Sequence, residues 1–199
     1  MNQLILLRHL ESQWNKENRF TGWTDVPLSK EGIKSAKKVA ENLSDFKINK
    51  VYTSPLTRNK ETVSLILEKL DKKHLPVCID KALDERNYGD LQGLNKDKIK
   101  VKYGEKQVRL WRRGWEYAPP GGESLKDVYN RVVPFYENNI QNDLEKNQNI
   151  LVVASHNSLR ALVKYLEKIS DEDIIKLEIS TGSLRLYEVN KGLVKLIRK

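Results

Sequence analysis

Short apolar runs alternate along the chain with longer stretches in which apolar side chains return at every third or fourth position. The first run, Leu4 to Leu7, ends abruptly in Arg8-His9, and Asn149 to Ser155 is the clearest run of all, delivering His156. Unbroken runs of this length suit strands covered on both faces, as in a parallel sheet. Lys50 to Thr53 and Pro76 to Asp80 supply a second and a third strand. Between them the spacing turns helical. Ile33, Ala36, Ala40 and Leu43 define one buried face behind a Ser29 N-cap, and Val63, Ile66, Leu67 and Leu70 another behind Ser54-Pro55. That second helix carries Arg58 in its first turn. Glu123-Ser124 opens the longest helix, with Leu125, Val128, Val132, Tyr136 and Ile140 on one face, and Pro134 inside it predicts a kink or a break. Leu159, Leu162, Val163 and Leu166 predict a last helix. Residues 184–189 and 193–197, joined by Asn190-Lys191-Gly192, predict an antiparallel hairpin at a sheet edge.

Strands alternating with helices predict an α/β three-layer sandwich, with a mainly parallel sheet, helices on both faces and the hairpin at one edge. Two segments depart from the alternation. Trp14, Phe20 and Trp23 punctuate the polar stretch 11–25, which predicts a structured loop held by aromatic anchors. Residues 84–122 combine weak apolar periodicity with distinctive polar residues. They predict short helices near 95–102 and 105–114, ended by Pro119-Pro120-Gly121-Gly122. Their apolar content is too low for a separate core, so the segment reads as an excursion covering the functional edge of a single domain, 1–199.

Composition narrows the class. With 199 residues, 39% hydrophobic and 32% charged, the chain resembles an ordinary globular domain. No apolar stretch approaches a membrane span and no charged-then-apolar leader precedes the first strand. The single cysteine, Cys78, excludes an internal disulfide and reads as a small buried apolar residue. These features predict a cytoplasmic protein without membrane partners. The net charge of +9 fits either nucleic acid or small phosphorylated anions. No stacking aromatics lie on a basic sheet face, so nucleic acid is not expected.

In a parallel sheet all carboxyl ends lie on one edge, where open α/β sheets bind ligands. Of three histidines, His9 and His156 each directly follow a strand, and Arg58 follows another. A histidine at a strand end is also a common loop residue; two at equivalent ends beside arginines make a site the stronger reading. Neighbouring positive charges keep an imidazole nitrogen unprotonated and neutralise the oxygens of a transferring phosphoryl group. Histidine then serves as covalent nucleophile, with no metal expected. Glu85 stands as a proton donor to the leaving oxygen or as the structural partner of an arginine.

Several segments carry a resemblance: Arg8-His9-x-Glu11-Ser12-x-Trp14-Asn15, Asn18 to Trp23, Asp84-Glu85-Arg86-x-Tyr88-Gly89, Gln92 to Lys96, Trp111-Arg112-Arg113 and Asn157 to Leu162. Together they resemble the cofactor-dependent phosphoglycerate mutases of the histidine phosphatase superfamily, from the first strand to about Gly182. The resemblance implies that His9 is phosphorylated, that Arg8, Arg58 and His156 complete the phosphate pocket, and that Glu85 donates and recovers the proton. It further implies that Asn15, Thr21, Gly22, Arg86, Tyr88, Lys96, Arg112, Arg113 and Asn157 bind a small phosphorylated acid. The implied cofactor is 2,3-bisphosphoglycerate, and a homo-oligomer such as a dimer is compatible.

The chain departs from that family at four places. Leu10 stands where the family has glycine, and either crowds the pocket or points into the core. His156-Asn157-Ser158 lacks the glycine usual after the second histidine. Asn87 replaces a histidine. The insertion after the Pro-Pro segment and the closing C-terminal tail of longer members are missing, which predicts freer entry of water and some phosphatase leakage. A phosphatase of another phosphorylated metabolite, or an impaired anion-binding relative, is the alternative.

Overall fold

The computed structural model describes residues 2–190 and 193–198. In chain order, β1 (Asn2–Arg8) leads through α1 (Gln13–Lys16) to α2 (Lys30–Glu41), β2 (Lys50–Thr53), α3 (Thr57–Lys69) and β3 (Val77–Ile79). The chain then leaves the sheet for α4 (Lys96–Tyr103) and α5 (Glu105–Arg113), and returns through α6 (Leu125–Phe135) and α7 (Asn142–Glu145). β4 (Ile150–Ala154), α8 (His156–Glu167), β5 (Leu184–Asn190) and β6 (Leu193–Arg198) complete it. The sheet order is β3-β2-β4-β1-β5-β6. The first four strands are parallel, and β5 and β6 form the antiparallel edge. The sandwich is therefore the α/β arrangement that the alternation predicts. The Lys191-Gly192 part of the expected hairpin turn lies outside the described residues. Among the described residues no helix is long and apolar enough to cross a membrane.

Side chains alternate across β1 and sort into two layers. Leu4 and Leu6 join α6, α7 and α8 on one face, while Ile5 and Leu7 join α2 and α3 on the other. β4, at the centre, is buried at every position. Register then does the functional placing. Arg8 pairs with Ala154, and Thr53 with Val153, so three parallel strands end level. His9, the start of α8 and the start of α3 leave the sheet side by side.

Local corrections follow from tertiary contacts. Ile33 is 46% exposed, and Gly32, Ala36, Val39 and Ala40 form the buried face of α2 instead. The cause is the close approach of Gly32 to Glu11, whose carbonyl oxygen would lie 2.2 Å from a Cβ on the glycine. That contact sets the rotation of the helix. α3 begins at Thr57 rather than at Pro55, because Asp25 from a distant loop accepts both the Thr57 N–H and its hydroxyl, each at 2.7 Å. Ser54 accepts instead from Asn59 at 2.6 Å. Cys78 is half-buried on the β3 edge, not fully buried. The Pro134 break takes the form of a π-helical turn, Tyr136–Gln141, before α7 resumes. α6 itself runs through Pro134, whose missing N–H leaves the Asn130 carbonyl without its helical donor, and the widened turn follows it.

Residues 84–122 pack Tyr88, Leu91, Ile99, Val108 and Trp111 around Phe20 of the 11–25 loop. This small cluster is separate from the two sheet layers. It roofs the carboxyl edge of the sheet and fixes α5 over it.

Candidate active site

β1 ends at Arg8, and the next residue turns its imidazole inward: His9 is 2% exposed. Its Nδ1 lies 2.7 Å from the Leu10 carbonyl oxygen. A carbonyl only accepts, so Nδ1 carries the proton and Nε2 keeps its lone pair. Burial, then the guanidiniums of Arg58 and Arg8, push the His9 pKa well below its usual value. The ring is neutral, of defined tautomer, and its Nε2 is unprotonated.

The Leu10 side chain points away from this ring. It is fully buried among Ile5, Leu7, Val39 and their neighbours, and its N–H donates to Thr62 Oγ1 at 3.1 Å. The leucine therefore packs the core and leaves the cavity uncrowded.

Arg58 reaches the site from the first turn of α3 and is 1% exposed. It donates to the Gly22 carbonyl at 2.7 Å and the Thr24 carbonyl at 3.2 Å, tying the 11–25 loop over the sheet edge. Gly22 adopts φ +56°, and a Cβ there would meet Gln92 Oε1 at 2.0 Å, so the tight loop requires glycine. Trp23 anchors the same loop by donating its indole N–H to the Glu85 carbonyl at 2.7 Å.

His156 is the first residue of α8, and the Asn157 N–H in the same turn donates to Glu85 Oε1 at 3.0 Å. The Arg86 N–H reaches that oxygen at 2.7 Å. A carboxylate at a helix N-terminus is held by orphan N–H groups and the helix dipole. Burial alone would raise the Glu85 pKa, but His156, the Arg86 N–H, Arg58 and Arg8 outweigh it and hold it below the usual range. For His156, burial dominates, assisted by Arg8 and Arg160, and lowers the pKa to about 3. Its ring is neutral near pH 7.

These residues enclose a cavity of about 120 Å³. Of the residues singled out from the sequence, Arg8, His9, Asn15, Thr21, Gly22 and Arg58 line it from the first half of the chain. Glu85, Tyr88 and Lys96 line it from the middle of the chain, and Arg112, Arg113 and His156 from the second half. Arg86 and Asn157 do not reach it. Both are fully buried one layer behind, where Asn157 donates to the Tyr88 hydroxyl at 3.2 Å and Arg86 lies under the Tyr88 ring. Arg160 in turn donates to Asn157 Oδ1 at 3.0 Å, bracing the wall without touching the cavity.

Three lining residues escape the sequence reading: Arg19, Phe20 and Glu178. Arg19 and Phe20 lie inside a segment already conspicuous, and Phe20 reads only as an anchor because it is one, at the centre of the roof cluster. Glu178 has no local signal. It lies in irregular chain after a short 3-10 turn, and only folding carries it to Arg113 and His156.

Among the described lining residues, Arg8, Arg19, Arg58, Lys96, Arg112 and Arg113 face only two carboxylates, Glu85 and Glu178. Arg8 Nε is also buried without a partner. Such an excess of convergent donors suits a multiply charged anion.

Comparison with known proteins agrees with that chemistry. The family model described as histidine phosphatase superfamily (branch 1) matches residues 4–198. A 2,3-bisphosphoglycerate-dependent phosphoglycerate mutase of Buchnera aphidicola subsp. Cinara cedri is 47% identical, covering 94% of this chain and 93% of its own. A phosphoglycerate mutase of Schizosaccharomyces pombe is 45% identical, covering 96% and 89%. Among solved structures, a mycobacterial glucosyl-3-phosphoglycerate phosphatase in complex with VO3 superposes with TM-score 0.86 at 25% identity, over 100% of this chain and 97% of its own.

Proposed function

The chain belongs to the histidine phosphatase superfamily, and within it we propose that it is a 2,3-bisphosphoglycerate-dependent phosphoglycerate mutase interconverting 3-phosphoglycerate and 2-phosphoglycerate. The observation that carries this reading is the cation set at both ends of one cavity. Arg8, Arg58 and His156 line it with His9, Lys96 and Arg112 add charge from α4 and α5, and Arg113 joins the two groups by approaching His156 Nε2 at 3.2 Å. A phosphatase of simple monoesters needs only the first group. A substrate with a phosphate and a carboxylate also uses the second.

In the reaction, a hydroxyl of the monophosphoglycerate attacks the phosphorus carried by His9, so a P–O bond forms as the N–P bond breaks. The bisphosphorylated product reorients, and His9 Nε2 attacks its other phosphorus in line, so an N–P bond forms as that P–O bond breaks. The guanidiniums of Arg8 and Arg58 and a hydrogen bond from His156 take up the charge on the phosphoryl oxygens. Glu85 protonates the departing oxygen, and recovers a proton when the other hydroxyl attacks phosphohistidine. A bound dianion raises the Glu85 pKa from its depressed value, preparing it as an acid. Meanwhile the Nδ1–H bond to the Leu10 carbonyl holds the His9 ring in one orientation through both transfers. Asn15, Thr21, Gly22 and Tyr88 position the ligand, with Arg86 and Asn157 supporting Tyr88 from behind. The donors present fit 2,3-bisphosphoglycerate: Arg8 and Arg58 would hold one phosphate, and Lys96 and Arg112 would hold the other. When bound, this cofactor supplies the phosphoryl group that loads His9. The substrate is a small phosphorylated acid, and the reaction belongs to cytoplasmic glycolysis and gluconeogenesis.

The decisive assay compares conversion of 3-phosphoglycerate into 2-phosphoglycerate, with and without 2,3-bisphosphoglycerate, against phosphate release. Conversion that the bisphosphate stimulates is expected, with phosphate release slower. His9→Ala removes both activities and abolishes labelling by 32P-2,3-bisphosphoglycerate. Phosphate release exceeding conversion would replace the mutase reading with the phosphatase one.

A further inference from the structure

Glu178 is the one anionic side chain at the cavity wall that the proposed reaction leaves without a task. Its carboxylate forms an ion pair with the Arg113 guanidinium and lies 3.1 Å from His156 Nε2. Arg113 in turn approaches the same Nε2 at 3.2 Å. Guanidinium only donates and carboxylate only accepts, so a single ring nitrogen cannot bond to both. The ring satisfies one at a time: unprotonated at Nε2 it accepts from Arg113, whose other guanidinium nitrogen pairs with Glu178, and protonated at Nε2 it donates to Glu178. Two donors then converge on one carboxylate, which is how a site built for an anionic oxygen presents itself.

We propose that Glu178 is an internal anion that competes with the substrate: its carboxylate is a placeholder between Arg113 and His156, and an incoming anionic ligand must displace it. This deepens the mutase reading and rests on it for the identity of the substrate.

The geometry allows the exchange. The backbone is held in place, because Arg8 donates to the Ile179 carbonyl at 2.6 Å and the Gly182 N–H returns to the Arg8 carbonyl at 3.0 Å. The side chain, by contrast, is 51% exposed and can swing to water. Burial would raise its pKa, but His156 and Arg113 outweigh burial and lower it to about 2, so it competes as a full negative charge near neutral pH. Displacement opposes every ligand by the same amount. Ligands with several anionic groups recover that cost through Lys96 and Arg112, whereas a lone phosphate does not. The carboxylate therefore raises the affinity that any anion must bring to occupy the site, and leaves selection among anions to Lys96 and Arg112.

The test is Glu178→Gln, with Glu178→Ala as a second variant lacking the amide. Thermal melts establish that both are folded. Calorimetric titration with inorganic phosphate, which needs no turnover, is expected to give about tenfold tighter binding in both variants. KM for 3-phosphoglycerate is expected to fall by a similar factor, with most of the change in KM rather than kcat. Unchanged or weaker phosphate binding in both folded variants overturns the proposal and makes the carboxylate a brace for the cradle. Tighter phosphate binding in protein that shows no mutase activity upholds the placeholder and overturns the mutase reading alone.

Discussion

The two ends of the cavity are built in different ways. At the nucleophile end, His9, Arg58, His156 and Glu85 sit on strand ends and helix starts of the main sheet, or on their N–H groups. Each is nearly or fully buried, and each is fixed by packing that the whole domain supplies. At the far end, Lys96 and Arg112 stand at the termini of two short helices, held over the sheet by the small cluster around Phe20, and Arg113 beside Arg112 reaches back to His156. One end rests on the global core and the other on a local one. Groups that perform chemistry require fixed geometry, while groups that select a substrate tolerate a roof that moves.

Variants on each side sharpen that contrast. The largest effect belongs to Glu85→Gln, which keeps the shape and removes the proton: kcat is expected to fall roughly 10²- to 10⁴-fold with little change in KM. A drop confined to KM would move Glu85 from the chemistry to the cradle. Leu10→Gly comes next, acting on stability rather than rate. The side chain packs in the core beneath the nucleophile, and its removal is expected to cost about 3–5 kcal/mol in a urea melt, from cavity and backbone entropy together. Turnover should not rise. A gain in kcat would mean that the leucine does crowd the site. Arg112→Ala is the smallest of the three. KM for 3-phosphoglycerate should rise about 10- to 100-fold through loss of charge-assisted hydrogen bonds, while hydrolysis of a plain aryl phosphate changes little. Equal damage to both substrates would erase the distinction between the two ends.

The nucleophile end was the more legible in the sequence. Leu4 to Leu7 and Asn149 to Ser155 are local patterns, and the residues that follow them inherit their position from the sheet rule alone. The far end was recognisable only through its resemblance to a family, because no periodicity joins Lys96 to Arg112 or either to Phe20. Ile33 shows the limit of periodicity even within a regular helix. Its spacing placed it inward, and the close seat of Gly32 on Glu11 turned it to solvent.

What the sequence determined by itself is what local preference can specify: strands ending in histidine, a Ser29 cap, a proline break, and a charge surplus suited to anions. The tertiary structure alone decided which way Leu10 points, that Arg86 and Asn157 stand behind the wall, and that Glu178 enters the cavity. Those outcomes depend on contacts between residues far apart in the chain, such as Arg8 with Ile179 and Asn157 with Glu85. Local patterns register only near neighbours, so a side chain whose role is set by a distant partner leaves no trace until the chain has folded.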